Sequence, residues 1–177
     1  MEVKTILSNF NYSIDRWIDE LEHYDDHQLM FQPGPNSWSI GQVITHLLEE
    51  TESFIQEIET GLNSNENASG EMSAEAKTMF ENNSFPDLKL EGPADAPKPP
   101  QPAGKAELRE GLKKLKAMLN QIGEELLRNS NHGKTKHPGH HYFSAGEWFQ
   151  WAKMHFRHHF RQKERINKFL KSSVHDL

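Results

Sequence analysis

The stretch that decides the fold is Ser144–Gln162, which reads SAGEWFQWAKMHFRHHFRQ. Ser144 is followed three residues later by Glu147, and this pair forms a capping box that marks the start of a helix. Apolar side chains then return at helical spacing, which predicts a helix from Ser144 to about Lys171 with one inward stripe. The residues that define this stripe are Trp148, Ala152, Ile166 and Leu170.

Two histidines lie within the same stripe. The four-residue spacing of His155 and His159 places both rings on one side of the helix, within reach of a single ion. An unpaired polar group in a core costs about 1–3 kcal/mol, so both rings need partners. The spacing leaves two interpretations open, a pair of metal ligands or core histidines that bond to backbone or water. Because Phe156, not Glu, follows His155, the metalloprotease helix motif is excluded.

The helical wheel also predicts where four other side chains of this helix lie. Gln162 shares the stripe one turn beyond His159, where it could orient a ligand, bind water or bond to the backbone. His158 lies toward the edge of the stripe, so we expect it at a flank or a dimer surface and not on the metal. Met154 and Phe160 lie on other faces of the helical wheel.

Three further amphipathic helices precede this one. The first runs from about Val3 to Glu22. The second starts after a capping box made by Ser39 and Gln42 and ends near Gly61. The third runs from about Lys105 to Arg128. No segment alternates as a strand does, so the pattern predicts an all-α four-helix bundle that forms one domain over residues 1–177.

The connections differ greatly in length. Residues 24–37 form a linker broken by Pro33, and residues 129–142 form a loop. Residues 62–104 are unusually long for a connection in a compact domain and end in a Pro-rich run. This crossover, with a short helix near residues 73–82, is long enough to let the second and third helices run parallel.

Composition excludes several functions. The chain has no cysteine, so disulfides, zinc-thiolate sites and a cysteine nucleophile are ruled out. Its formal net charge of -6 argues against a nucleic-acid partner. There is no apolar run long enough for a membrane span and no secretory leader pattern, so we expect a soluble cytoplasmic protein. Seven of the 11 histidines fall between His132 and His159.

A third ligand would come from another helix, and His46 lies in the second. On its own wheel it is about 100° from the centre of the apolar stripe, so periodicity alone does not nominate it. Glu50, one turn further on, shares that flank. It is a candidate fourth ligand or second-shell partner, and the alternative is a solvated surface carboxylate.

The stretch Ser37–Leu47, SWSIGQVITHL, resembles the start of the second helix in the DinB-like superfamily, which includes the YfiT-type metal-dependent hydrolases. The pieces HPG at residues 137–139, SAGEW at 144–148 and HFRHHFRQ at 155–162 resemble the end of the same family. They are closest to a branch with the pattern HPxxG…EW…HxxHHxxQ. The match covers about 40 residues at opposite ends of the chain.

The resemblance implies an up-down-down-up bundle with a long crossover between the second and third helices. It implies that His46, His155 and His159 bind a divalent metal, with Ni or Zn the usual ions. Family members often form homodimers, and some transfer low-molecular-weight thiols or isomerise substrates with a thiol cofactor. This chain departs from the family in its extra histidines, His140 and His141, and in its Pro-rich crossover.

Three neutral imidazoles leave coordination positions open on a divalent ion. Two reactions on a small molecule then follow, hydrolysis by metal-activated hydroxide or transfer of a metal-activated thiol that a cosubstrate supplies. Candidate catalytic helpers are Gln162, Glu50, His137 and His141, with His140 beside them in the loop. A non-catalytic alternative stays open, a metal-stabilised bundle or a module that binds a small ligand.

Overall fold

The computed structural model describes residues 2–87, 98–129 and 131–173. The part of the crossover at residues 88–97 lies outside the described residues, as do both ends of the predicted 1–177 domain. The described chain contains six helices and one two-stranded sheet, in the order α1 (Val3–Leu21), α2 (Asp26–Met30), α3 (Ile40–Leu62), α4 (Ala74–Glu81), α5 (Lys105–Arg128), β1 (Lys134–His137), β2 (His141–Ser144) and α6 (Ala145–Ser173).

The four long helices begin and end close to the predicted residues, and the mostly helical character is confirmed. The Ser39 hydroxyl accepts a hydrogen bond from the backbone N–H of Gln42, whose side chain bonds back to the Ser39 N–H. Ser144 and Glu147 make the same reciprocal pair at the start of α6. The short helix expected in the crossover is α4, with Ser73 as its N-cap. Local capping chemistry therefore sets these helix starts.

Two of the predicted connections contain regular structure that periodicity did not predict. Asp25 and Gln28 form a capping box that starts α2 within residues 24–37. The predicted 129–142 loop contains the antiparallel hairpin of β1 and β2. The expectation of no strands was therefore wrong, because two four-residue strands, KTKH and HYFS, are too short to show a clear alternation.

The hairpin is held by contacts far from it in sequence. The indole N–H of Trp148 donates to the Thr135 hydroxyl at 2.7 Å. Met72 forms an isolated antiparallel bridge with His141, and the Ser73 N–H donates to the His140 carbonyl oxygen at 3.0 Å. Tertiary contacts of this kind stabilise a hairpin that would be marginal alone.

Each of the four long helices packs against two others, since α3 contacts α5 and α6, and α1 contacts α5 and α6. Apolar side chains from all four fill the centre. Near α6, Phe10 of α1 packs on Phe149 and Phe156, and Trp17 stacks on Phe160 at a centroid distance of 4.5 Å. Because α1 and α3 pack on different faces of α6, α6 is buried beyond one stripe.

This packing on two helices explains why the helical wheel of α6 predicted too narrow a buried face. Met154 and Phe160, which the wheel placed away from the inward stripe, are 1% and 8% exposed. Lys153 and Lys163 are also buried, and Lys163 forms an ion pair with Glu20 at 2.6 Å. In the described residues, no helix is long and apolar enough to cross a membrane.

Gly41 marks a tight contact between α3 and the end of the crossover. A Cβ atom at Gly41 would lie 2.8 Å from Pro102 Cγ and 3.0 Å from the Leu29 carbonyl oxygen. A proline ring and a backbone carbonyl cannot rotate away as a flexible side chain can. By contrast, a Cβ at Gly146, in the first turn of α6, meets nothing within 4 Å.

We therefore expect Gly41→Ala to lower the free energy of unfolding by about 1–3 kcal/mol, since overpacking outweighs the gain in helix propensity. The matched control Gly146→Ala should leave it unchanged or raise it by up to about 1 kcal/mol. Urea unfolding of both variants measures this. Equal stabilities of the two variants would contradict the packing at Gly41.

Candidate metal centre

Three imidazoles meet where α3 packs on α6. The Nε2 atom of His155 lies 3.2 Å from Nε2 of His46 and 3.0 Å from Nε2 of His159. The ligand atoms of this group all lie within 4.8 Å of one another. His46 and His155 are half-buried and His159 is buried, so the group lies at an edge of the core that solvent reaches.

The spacing of these nitrogens suits one metal ion. Nitrogens bonded to zinc at about 2.0–2.1 Å in a tetrahedron are about 3.3 Å apart, close to the two distances here. Imidazole nitrogen is a ligand that zinc, nickel and copper all accept. The residues present therefore fit a divalent transition metal, with coordination positions left for other ligands.

His46 faces α6, although its helical wheel placed it away from the centre of the apolar stripe. Helix α3 packs against both α5 and α6, so its buried face is wider than the apolar stripe alone. His46 lies on the α6 side of that face, where its ring is 4.9 Å from that of Trp38.

Desolvation keeps the three imidazoles neutral. It lowers the pKa of His46 to about 4. The pKa of His159 falls to about 3, first through desolvation and then through the neighbouring His46. Desolvation, with His159 and His46 nearby, also holds the pKa of His155 well below its usual value. Near pH 7 all three rings therefore offer a lone pair, which is the state that binds a metal.

Gln162 lies directly behind one of the three rings. Nδ1 of His159 donates a hydrogen bond to Oε1 of Gln162 at 2.7 Å. With the proton on Nδ1, the lone pair of His159 is on Nε2, the atom that faces the other two histidines. The side chain expected to orient a ligand is thus placed to do so.

Aromatic side chains enclose the group. The ring of Phe54 lies 5.7 Å from that of His155, and Phe85 lies 6.4 Å from it on another side. Phe85 is 5% exposed and packs on Trp151 at 4.4 Å. This enclosure accounts for the desolvation of the histidines.

The family model described as the DinB superfamily matches residues 9–162, which is most of the chain and contains all three histidines. The chain belongs to the DinB superfamily. A search of the curated proteins found no match to it. Members of the DinB superfamily often bind metal, so the family agrees with the donor set seen here.

The remaining candidate residues lie around this DinB-superfamily centre or apart from it. Glu50 is half-buried, with its pKa raised by desolvation and by Glu49, and it is not one of the grouped ligands. His158 is 7% exposed and accepts a hydrogen bond from Arg161 at 3.1 Å. It is not one of the grouped ligands, as expected, and the ring of Phe85 lies 5.7 Å from its ring, so it is more buried than a position at a flank suggests.

The loop histidines lie in the hairpin and not in the three-histidine group. His137 packs on Trp148 and Trp151 at centroid distances of 5.2 and 4.9 Å. Nδ1 of His140 lies 3.0 Å from the hydroxyl of Ser73, and His141 is exposed with a φ of 67°. These contacts give the three histidines a place in the hairpin, and none is in the three-histidine group.

The segment 83–87, which brings Phe85 to the centre, was missed from sequence. Asn83 has a φ of 49° at the end of α4, and its Oδ1 accepts hydrogen bonds from Lys153 and Gln150. Arg161 donates to the Phe85 carbonyl oxygen at 2.9 Å. The pair Asn82-Asn83 after a short helix is a recognisable helix-end signal, but its partners on α6 are set by the tertiary structure.

The hairpin generates a testable pH dependence. Burial and the nearby His140 lower the pKa of His137 to about 4. Between pH values of about 6.5 and 4, the unfolded chain binds a proton at this residue and the folded chain does not, so stability falls as the pH falls. His137→Phe should therefore lose less stability than the wild type between pH 7 and pH 5.

Urea unfolding of metal-free protein at the two pH values measures this difference. The control His132→Phe changes an exposed histidine of the same region and should behave as the wild type does. An identical pH dependence in His137→Phe and the wild type would show that His137 stays accessible to protons in the folded protein.

Proposed function

We propose that this chain is a metal-binding member of the DinB superfamily in which His46, His155 and His159 hold one divalent ion for chemistry on a small molecule. The observation that carries the proposal is that Nε2 of His155 lies 3.2 Å from Nε2 of His46 and 3.0 Å from Nε2 of His159, with all three ligand atoms within 4.8 Å of one another. Nickel or zinc suits this all-nitrogen donor set. A bound ion would supply Lewis acidity to a ligand in an open position.

We also infer that residues 1–177 form one domain with the up-down-down-up order and a crossover between α3 and α5. Facing pairs support a parallel course of these two helices, since Leu48 meets Gly111 and Glu52 lies 3.9 Å from Lys114. Asp15 pairs with Lys116, while Glu22 pairs with Arg109, which supports an antiparallel course of α1 and α5.

Each residue of the site has its own role in this proposal. The three histidines bind the ion and Gln162 orients His159. Phe54 and Phe85 exclude water where they cover the rings, while the half-buried His46 and His155 keep part of the group accessible to solvent. Glu50, with its raised pKa, is the candidate to exchange a proton with a bound substrate.

Substrate and partners are part of the proposal. We infer a hydrolase or a thiol transferase, whose thiol would come from a small cosubstrate because the chain contains no cysteine. The family resemblance favours a homodimer, and we keep the expectation of a cytoplasmic location from the sequence. The acidic net charge of -6 favours a small-molecule partner over a nucleic acid.

The first test is metal content. Untagged wild-type protein should carry about one equivalent of divalent metal, and the double variant His155→Ala, His159→Ala should carry none above background, because a single remaining histidine binds weakly. Elemental analysis measures both. The control His132→Ala, His141→Ala removes two exposed histidines and should keep the metal. Unchanged metal in the first double variant would refute the site.

The second test concerns catalysis. Esters, amides and pairs of an electrophile with a small thiol should be screened with loaded, chelated and reconstituted protein. We expect turnover that disappears on chelation and returns with the metal. Turnover that survives complete metal removal would contradict a metal mechanism, and a retained metal without any turnover would favour the non-catalytic, metal-stabilised bundle.

A further inference from the structure

Two of the three histidines differ in the hydrogen-bond partner of their Nδ1 atom. Nδ1 of His159 has Gln162 as its acceptor at 2.7 Å. Nδ1 of His155 is buried and has no hydrogen-bond partner within the described part of the chain. The tautomer of His159 is therefore set by the protein, whereas that of His155 is set by packing and by whatever binds its Nε2 atom.

The nature of this acceptor matters as much as its position. Histidine ligands commonly donate their second N–H to a carboxylate, which adds negative charge and raises ligand basicity. Here the acceptor is a neutral amide. The ligand group itself contains three histidines and no Asp or Glu among the residues described. The exposed Arg165, on the same helix, adds positive charge near His158 and His159.

The positive charge of a divalent ion in this site would thus not be compensated by the side chains that hold it. Neither the three neutral imidazoles nor the amide behind His159 compensates it, and the aromatic walls of Phe54 and Phe85 screen it poorly. A centre of this kind attracts an anion to its open position more strongly than one backed by a carboxylate.

We propose that Gln162 is a positioning residue that fixes the Nδ1–H tautomer of His159 and, being neutral, leaves the metal's charge free to bind an anionic ligand. This inference rests on the proposed metal site. It adds a ligand class, small anions such as carboxylates or thiolates, and a residue that determines this preference.

Two substitutions separate the two roles of Gln162. Gln162→Leu removes the acceptor and should weaken metal binding about 10- to 100-fold. Gln162→Glu keeps an acceptor and adds a charge. It should bind metal at least as tightly as the wild type but bind an anion about tenfold more weakly, because the carboxylate competes for the ion's field.

The measurements are chelator competition for Co²⁺ affinity and a visible-spectrum titration of the Co²⁺-loaded protein with azide. Gln150→Leu and Gln150→Glu are the matched controls. Gln150 is a buried amide of the same helix, and its side-chain N–H donates to Oδ1 of Asn83. Both controls should match the wild type in Co²⁺ affinity and in azide affinity.

A third measurement needs no metal. Nitrogen-15 NMR of the metal-free wild type should show the proton of His159 on Nδ1, and Gln162→Leu should show a mixture of tautomers. A wild-type proton on Nε2 would overturn the inference. Unchanged azide affinity in both Gln162 variants would also overturn it. An equal loss of Co²⁺ affinity in both variants would do the same, because it would indicate a purely structural role.

The outcomes also separate this inference from the metal site itself. A wild type that binds no Co²⁺ overturns the proposed function together with the inference. A wild type that binds Co²⁺, with Gln162 variants that match it in metal and azide affinity, overturns the role of Gln162 alone.

Discussion

Three unprotonated imidazole nitrogens that face one another repel unless a proton or a cation lies between them. In this chain the packing of α3 on α6 brings Nε2 of His46 to 3.2 Å from that of His155, which in turn lies 3.0 Å from that of His159. Desolvation disfavours a second proton, and with it a positive charge, on each of the three rings. A divalent cation, as the proposed function requires, would remove this repulsion and give the three nitrogens a common partner.

The architecture supports the centre from three directions. Trp38 and Phe54 flank it from the α3 side. The segment 83–87 presses Phe85 against α6 and is held there by side chains of α6 itself, including Arg161. The hairpin packs His137 on Trp148 and so braces the start of α6 without entering the ligand group. The segment 83–87 is far from α6 in sequence, so the site depends on tertiary packing as well as on its own two helices.

Sequence reasoning predicted the long helices because capping and apolar spacing are local, as Ser39 and Ser144 illustrate. It placed His155 and His159 together by spacing, and the family resemblance added His46. It missed the hairpin, the burial of His158 and the position of Phe85, because each depends on a neighbour far along the chain. It also predicted a single buried stripe on α6, since a helical wheel cannot show that both α1 and α3 pack on this helix.

The centre's chemistry follows from its charge and its access. A neutral donor set, a neutral amide behind His159 and a partly exposed edge together favour an accessible, electrophilic ion. X-ray absorption of the metal-loaded protein tests the central claim most directly. Three imidazole nitrogens at about 2.0–2.1 Å are the predicted result. A first shell with fewer than three imidazoles, or one made mainly of carboxylate oxygens, would contradict it.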